Sequence, residues 1–139
     1  MTDKLQRVLN AAARVVTGTW KFDRGLVQIL HDELHWLDVP DRVFFKLAVT
    51  VHRCLNGRAP PYLSDYCVPA AGVDTQQQLR SPNRQLLAVP CYRLNTYGRR
   101  AFSVAGPTVW NSLQDFILDA TISADSIRHL LKTYLFARY

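Results

Sequence analysis

The sequence predicts a mainly α-helical protein, with about five short helices in a small bundle and an irregular basic insert. Two observations carry this prediction. Apolar residues recur at helical spacing in both the N-terminal and the C-terminal parts of the chain, and a stretch rich in small and polar residues separates these parts. Hydrophobic residues make up 48% of the 139 residues, which suits a folded core. We expect a helical part at residues 1–68, the basic insert at 69–106 and a helical hairpin at 107–139, within one folded domain.

The first helix is expected to begin near Asp3, because Asp3 and Gln6 have the spacing of a capping box. Gly18 has the position of a residue that ends a helix in a left-handed conformation. The apolar side chains of this helix share one face, which we expect to be buried. They are Leu5, Val8, Leu9, Ala12, Ala13 and Val16.

Two further helices are expected before residue 60. The second runs from Asp23 to about His35, and the third begins at Pro40, which suits a first helical position, and stops at Asn56-Gly57. The residues expected to face the core are Leu26, Ile29, Leu30 and Leu34 in the second helix, and Val43, Phe44, Leu47, Ala48, Val51 and Leu55 in the third.

The rest of the chain is expected to hold two more helices after an irregular middle. Pro60-Pro61 predicts one turn that ends at Tyr66, and residues 69–83 predict an exposed loop. Pro107 is expected to open the next helix, and Ser123 to cap the last one. The side chains expected to point inward are Trp110, Leu113 and Ile117 on the first of these helices, and Ile127, Leu130, Leu131, Tyr134 and Leu135 on the last.

The charge of the chain favours a nucleic-acid partner. The formal net charge is +6, and arginine outnumbers lysine thirteen to four. Guanidinium groups bind phosphates through paired hydrogen bonds and stack on bases. Five arginines and no acidic residue lie between Thr75 and Gln114, interleaved with aromatic residues that suit base stacking. We expect RNA or DNA, as a single strand or a heteroduplex, to contact Arg80, Arg84, Arg93, Tyr97, Arg99 and Arg100. The alternative interpretation is a core of aromatic residues with a solvated rim of arginines.

The sequence carries no pattern that is typical of an enzyme active site. It lacks a Gly-x-x-x-x-Gly-Lys phosphate loop, a Gly-x-Ser-x-Gly turn and an Asp-Asp pair. His31 and His35 have the spacing of two zinc ligands, but Asp32 stands where zinc proteases carry a catalytic glutamate. His52 and the cysteines lack the usual spacing of a zinc site. We therefore expect no catalytic residue, no metal, no cofactor and no small-molecule substrate.

Cysteine usage and hydropathy indicate where the protein resides. Cys54, Cys67 and Cys91 are odd in number and widely spaced, which favours reduced thiols in an intracellular protein, whether nuclear or cytoplasmic. No apolar run approaches the length of a membrane span, so we expect no membrane partner.

Short sequence blocks follow one another along nearly the whole chain. They are LQRVLNAAAR at 5–14, LHWLDVPDR at 34–42, NGRAPPYLSD at 56–65, LRS at 79–81, VP at 89–90, YGRRAFS at 97–103, PTVWNSL at 107–113 and LKTYLF at 131–136. In these blocks and their order, the chain resembles the C-terminal region of reverse transcriptases from LINE-type, non-LTR retrotransposons of the jockey-like and related clades.

The resemblance implies a thumb-like role for residues 1–68 and an accessory role for the chain. The family's enzyme copies RNA into DNA with palm aspartates that include a Tyr-x-Asp-Asp motif, which this sequence lacks. We therefore expect a non-catalytic fragment of a retrotransposon RNA-directed DNA polymerase that grips template RNA or target DNA through its basic insert. Cys91 stands where we expect a basic residue in the family. The alternative is a protein-interaction module, or an inert relic of the element, without a nucleic-acid partner.

Overall fold

The computed structural model describes residues 2–70, 85–91, 98–119 and 121–139, and within these residues the chain is mainly helical and contains no strand. With α2 and its π-helical continuation counted as one, about five helices have seven residues or more, so the predicted fold class is confirmed. No helix in the described part of the chain is long and apolar enough to cross a membrane. The helices are α1 (Thr2–Thr17), α2 (Leu26–Gln28, continued as a π-helix at Ile29–Glu33), α3 (Val39–Leu55), α4 (Pro61–Ser64), α5 (Phe102–Asn111) and α6 (Ala124–Phe136).

The chain divides into two compact units. The first unit comprises Met1–Phe44 and Lys132–Tyr139, and the second comprises Phe45–Leu131. In the first unit, Ala13 of α1 packs with Leu26 and Leu30 of the α2 segment. Partly buried side chains surround this cluster, namely Leu9, Leu34 and Trp36.

Helix α1 ends as its sequence predicts. Gly18 has a φ of 69°, in the left-handed region that favours glycine. The Thr19 amide then donates to the Arg14 carbonyl at 3.1 Å, which is the closing bond of a Schellman motif.

The buried face of α1 differs from the predicted one. Leu5, Val8, Ala12 and Val16 are exposed rather than buried. The buried side instead carries Ala13 and polar side chains, of which Gln6 has a structural role: its Nε2 donates to Asp38 Oδ1 at 2.7 Å. Its Oε1 accepts from the amide of Val39, the first residue of α3, at 2.8 Å. These two bonds satisfy polar groups at the start of α3, so the glutamine face turns inward.

The second predicted helix is shorter and wider than expected. It begins at Leu26 instead of Asp23, and it changes from α- to π-helical geometry at Ile29. The Leu34 amide reaches back to Ile29 O at 3.1 Å, a five-residue span. Leu26 and Leu30 are buried as expected, whereas Ile29 and Leu34 are only half-buried.

His31 lies in a polar and aromatic cluster of the first unit. Its Nδ1 donates to the Trp36 carbonyl at 2.9 Å, and its ring stacks on Tyr139 with centroids 3.6 Å apart. The Tyr139 hydroxyl donates to Asp41 and accepts from the Asp38 amide. Burial, together with the hydrogen bond to Asp41, raises the pKa of Tyr139 to about 12. Tyr139 is therefore a neutral hydrogen-bond donor at physiological pH.

Helix α3 supplies part of the core of the second unit. Ala48 and Val51 are fully buried as predicted. Val43, which lies in the first unit, is 50% exposed, so its predicted place on the buried face was wrong. The helix stops where the sequence predicts, because the Arg58 amide donates to Arg53 O at 2.8 Å and the Gly57 amide to Cys54 O at 3.1 Å.

Helix α5 begins five residues earlier than predicted. It starts at Phe102, so Pro107 lies inside the helix instead of opening it. A residue before proline normally avoids helical geometry because its Cβ and amide clash with the proline ring. Here that residue is Gly106, which has no Cβ and approaches Val51 so closely that a Cβ would lie 3.2 Å from its Cγ2. The predicted irregular insert at 69–106 therefore overlaps the first half of α5.

Helix α6 follows its sequence signals. Ser123 Oγ accepts from the Ser126 amide at 3.2 Å, which is the predicted cap. Ile127 and Leu131 are fully buried in the second unit, and Leu135 is fully buried in the first. Leu130 and Tyr134 are half-buried.

Candidate nucleic-acid interface

The structure describes two of the six residues expected to contact nucleic acid. Arg99 and Arg100 belong to a 3-10 turn at Gly98–Arg100, and both side chains are exposed. The other predicted contacts lie outside the described residues, so their assignment stays a prediction; they are Arg80, Arg84, Arg93 and Tyr97.

The two arginines stand directly before the N-terminus of α5. The N-cap is Ala101, whose side chain offers no acceptor to the first-turn amides, and the first turn holds no acidic residue. The positive end of the helix dipole is therefore not neutralised by a capping side chain or by an acidic residue of its own first turn. Two guanidinium groups within three residues of this helix end give the segment a local positive charge that suits a phosphate.

A short backbone contact joins residues 68–70 to residues 86–88. Pro69 and Leu87 form an isolated antiparallel bridge. The Ala70 amide donates to Leu86 O at 2.9 Å, and the Ala88 amide donates to Val68 O at 2.8 Å. The first two residues of the predicted loop at 69–83 belong to this pairing, and its other residues lie outside the described part of the chain.

Side chains of α5 hold this paired segment in place. Asn111 Oδ1 accepts from the Leu87 amide at 2.9 Å, and its Nδ2 donates to the Leu87 carbonyl at 2.8 Å. The fully buried Trp110 donates from Nε1 to the Gln85 carbonyl at 2.9 Å. Trp110 is therefore a core residue, as its spacing predicts, and its indole nitrogen is used for positioning the segment.

A pocket of about 350 Å³ opens beside the paired segment. Its walls are the turn after α4, the extended residues 88–90 and the first turn of α5. Most of the lining is apolar. The lining residues are Asp65, Tyr66, Val68, Ala88, Val89, Pro90 and Ser103.

None of these lining residues was predicted from the sequence as part of a site, and Tyr66 is the aromatic one among them. It ends the single turn predicted after Pro60-Pro61, and its side chain is 50% exposed. A lone aromatic residue in a turn belongs to no apolar period, so no pattern marked it as part of a site. The signal available in the sequence was its place between that turn and the basic stretch.

The ionisable groups buried near these elements are neutral rather than reactive. Burial, and then the neighbouring Cys54, raises the pKa of the Cys67 thiol to about 12. Burial lowers the pKa of His52, although the hydrogen bond of its Nε2 to the Ile122 carbonyl opposes this shift. A neutral buried thiol is a poor nucleophile.

Within the described residues, no group of three or more histidine, cysteine, aspartate or glutamate side chains could hold a metal ion. His31 is buried against Tyr139, whereas His35 is exposed and bonds through Nδ1 to the His31 carbonyl at 3.1 Å. The described residues of this region offer two exposed guanidinium groups and a mostly apolar pocket.

No protein-family model matches this chain, and no curated protein or solved structure matches it either.

Proposed function

We propose that the chain is a non-catalytic nucleic-acid-binding module, akin to the C-terminal region of a retrotransposon RNA-directed DNA polymerase, that grips template RNA or target DNA. The observation that carries the proposal is the pair of exposed arginines, Arg99 and Arg100, at the uncapped start of α5. They lie in the stretch from Thr75 to Gln114, which holds five arginines and no acidic residue.

The chemistry of this segment favours the phosphate backbone over base edges. Guanidinium groups and free helix amides recognise phosphates without reading sequence. Binding of this kind releases counterions, so the affinity falls steeply as salt rises. We therefore expect weak sequence preference and a strong salt dependence.

Fluorescence anisotropy with labelled single-stranded RNA and DNA across a salt series tests the proposal. If all five arginines engage, log K falls against log salt with a slope of roughly −3.5, at about −0.7 for each phosphate. Raising the salt from about 50 to 200 mM then weakens binding about a hundredfold. Absence of binding at about 50 mM salt would refute the proposal.

A charge-matched pair of variants locates the contact. Arg99→Ala with Arg100→Ala should make the slope less steep by about 0.7 if one side chain reaches a phosphate, and by about 1.4 if both do. Adjacent residues of a 3-10 turn point about 120° apart, so we expect the smaller value. The control is Arg24→Ala with Arg128→Ala, which removes the same charge from two exposed sites outside the basic stretch.

The proposal also holds that the chain does not polymerise nucleotides. The sequence carries no Tyr-x-Asp-Asp motif and no Asp-Asp pair, and two-metal phosphoryl transfer needs ligands for both ions. A primer-extension assay with template, nucleotides and Mg²⁺ measures this. Template-dependent extension above that of a heat-inactivated sample would contradict the proposal.

A second candidate function, a protein-interaction module, is favoured by the exposed face of α1. Leu5, Val8, Ala12 and Val15 follow a three- and four-residue spacing, and Val15 is 84% exposed. Apolar side chains at this spacing form the contact face of paired helices. A cross-linking screen with Val8→Asp as the negative control tests it, because a partner held on this face is lost in the variant.

A further inference from the structure

The pocket beside the paired segment has a different chemistry from the arginine turn. Phosphate binding needs cations and amides, whereas the walls of the pocket are mostly apolar side chains. We propose that this pocket receives one unstacked base of a single-stranded nucleic acid, with the face of the base against the ring of Tyr66. The inference rests on the proposed function and assigns a separate subsite to it.

The size and lining of the pocket suit a flat aromatic ligand. A volume of about 350 Å³ lies at the lower end of the range for small-molecule pockets. Val68, Val89 and Pro90 supply apolar walls, and among the described lining residues Tyr66 is the aromatic one. A base presents two apolar faces and a polar edge, and stacking on an aromatic side chain is the usual way in which proteins hold unpaired bases.

Two polar residues in the lining can form hydrogen bonds with the edge of the base. Asp65 and Ser103 line the same pocket as Tyr66. An aspartate accepts hydrogen bonds, for example from the exocyclic amino group of cytosine, whereas thymine and uracil present an oxygen at that position. The pocket is therefore expected to favour cytosine over thymine or uracil. A free phosphate is a poor occupant, because the described lining residues include a carboxylate and no basic side chain.

The position of Ser103 connects the pocket to the phosphate contact. Ser103 lies in the first turn of α5, three residues after Arg100. A span of three residues is at most about 10 Å. A strand whose phosphate meets the arginine turn therefore has its neighbouring base within reach of the pocket. Charge complementarity brings the strand to this edge, and the pocket then holds a base that has left the stack.

The test compares oligonucleotides that differ only in their bases. Equal-length cytosine, thymine and abasic DNA strands, and cytosine and uracil RNA strands, are titrated against the full chain by fluorescence anisotropy. The variants are Tyr66→Ala, Tyr66→Phe and Asp65→Asn. The matched control is Tyr62→Ala, because Tyr62 is an exposed tyrosine of α4, four residues before Tyr66, and is not among the described lining residues of the pocket.

We expect Tyr66→Ala to weaken binding of the cytosine strands about tenfold, a change within the range of one stacked base, without altering the salt slope. Tyr66→Phe keeps the ring and should bind within about twofold of the unchanged chain. Asp65→Asn should reduce the preference for cytosine. The unchanged chain should bind the abasic strand more weakly than the cytosine strand. The affinity for the abasic strand should be the same in the unchanged chain and in Tyr66→Ala.

Three outcomes would overturn the inference. If Tyr66→Ala binds like Tyr62→Ala while salt-dependent binding persists, the base subsite is wrong and the proposed function stands. If the unchanged chain binds the abasic and cytosine strands equally, the subsite is wrong even where Tyr66→Ala fails to fold. If no strand binds at about 50 mM salt, the proposed function fails together with the subsite.

Discussion

Replacing Asn111 with alanine tests whether α5 holds the segment that lines the pocket. The Asn111 amide makes two hydrogen bonds with the backbone of Leu87, one to its amide at 2.9 Å and one to its carbonyl at 2.8 Å. Leu87 is 3% exposed, so both backbone groups lose their partner in a place with little water. A buried polar group without a partner costs about 1–3 kcal/mol. Two such groups would cost about 2–6 kcal/mol, and because Asn111 is half-buried we expect about 2–3 kcal/mol.

Urea denaturation followed by far-ultraviolet circular dichroism measures this loss. A decrease of about 2–3 kcal/mol in the free energy of unfolding lowers the midpoint by about 1–1.5 M when the slope m is roughly 2 kcal/mol/M. The control is Ser112→Ala, since the Ser112 side chain is exposed and its hydroxyl donates to the Val109 carbonyl in the last turn of α5. We expect this variant to lie within about 0.5 kcal/mol of the unchanged chain. A loss under about 0.5 kcal/mol for Asn111→Ala would refute the anchoring role of Asn111.

Three further predictions follow from burial. Val15→Asp on the exposed face of α1 should change the free energy of unfolding by less than about 0.5 kcal/mol, whereas Ala13→Asp buries a charge and should prevent folding. Thermal denaturation of the two variants measures this difference. Equal effects would mean that the buried face of α1 is assigned wrongly. A thiol reagent should label the exposed Cys91 rapidly and the two buried cysteines only after unfolding, as mass spectrometry can measure; rapid labelling of all three would contradict their burial. Stability should fall as the pH drops below about 6.5, because the unfolded chain protonates His52 before the folded chain does, and His52→Gln should reduce this loss in urea titrations at several pH values. An unchanged pH dependence in that variant would contradict the lowered pKa.

Local signals predicted the ends of α1 and α3 and the start of α6, because each of these depends on only a few neighbouring residues. Gly18 and Gly57 stop α1 and α3 through backbone bonds that close within six residues. Ser123 caps α6 in the same local way. The core position of Trp110 was also predicted correctly, because the large apolar area of its side chain favours burial of whichever helix face carries it.

The orientation of α1 was not predictable from its own sequence. The apolar period of the helix indicates Leu5, Val8 and Val16 as inward, and these residues are exposed. The decision depends on Gln6, which bonds to Asp38 and to the Val39 amide more than thirty residues away. A helical period reports that a helix has an apolar face, but not which neighbour covers it.

The candidate site could be predicted only in part for a related reason. Charge composition directs attention to Arg99 and Arg100, which the structure places together before α5. Tyr66 enters the site through the bridge between Pro69 and Leu87, and a single backbone bridge leaves no periodic signal. Pro107 lies inside α5 and does not mark its start, because the missing Cβ of Gly106 removes part of the clash that normally keeps a residue before proline out of a helix.

The two candidate functions can be separated by mutation, because they use residues of different compact units. The exposed stripe of α1 belongs to the first unit, and the arginine turn with the pocket belongs to the second. An exposed aliphatic side chain contributes no charge, so Val8→Asp should alter the salt slope of nucleic-acid binding only through the added negative charge, by much less than the loss of an arginine contact. Conversely, Arg99→Ala with Arg100→Ala leaves every apolar side chain of α1 unchanged. If Val8→Asp abolishes nucleic-acid binding while circular dichroism shows an intact fold, the strand contacts α1, and the phosphate contact must be reassigned from the turn before α5 to the first unit.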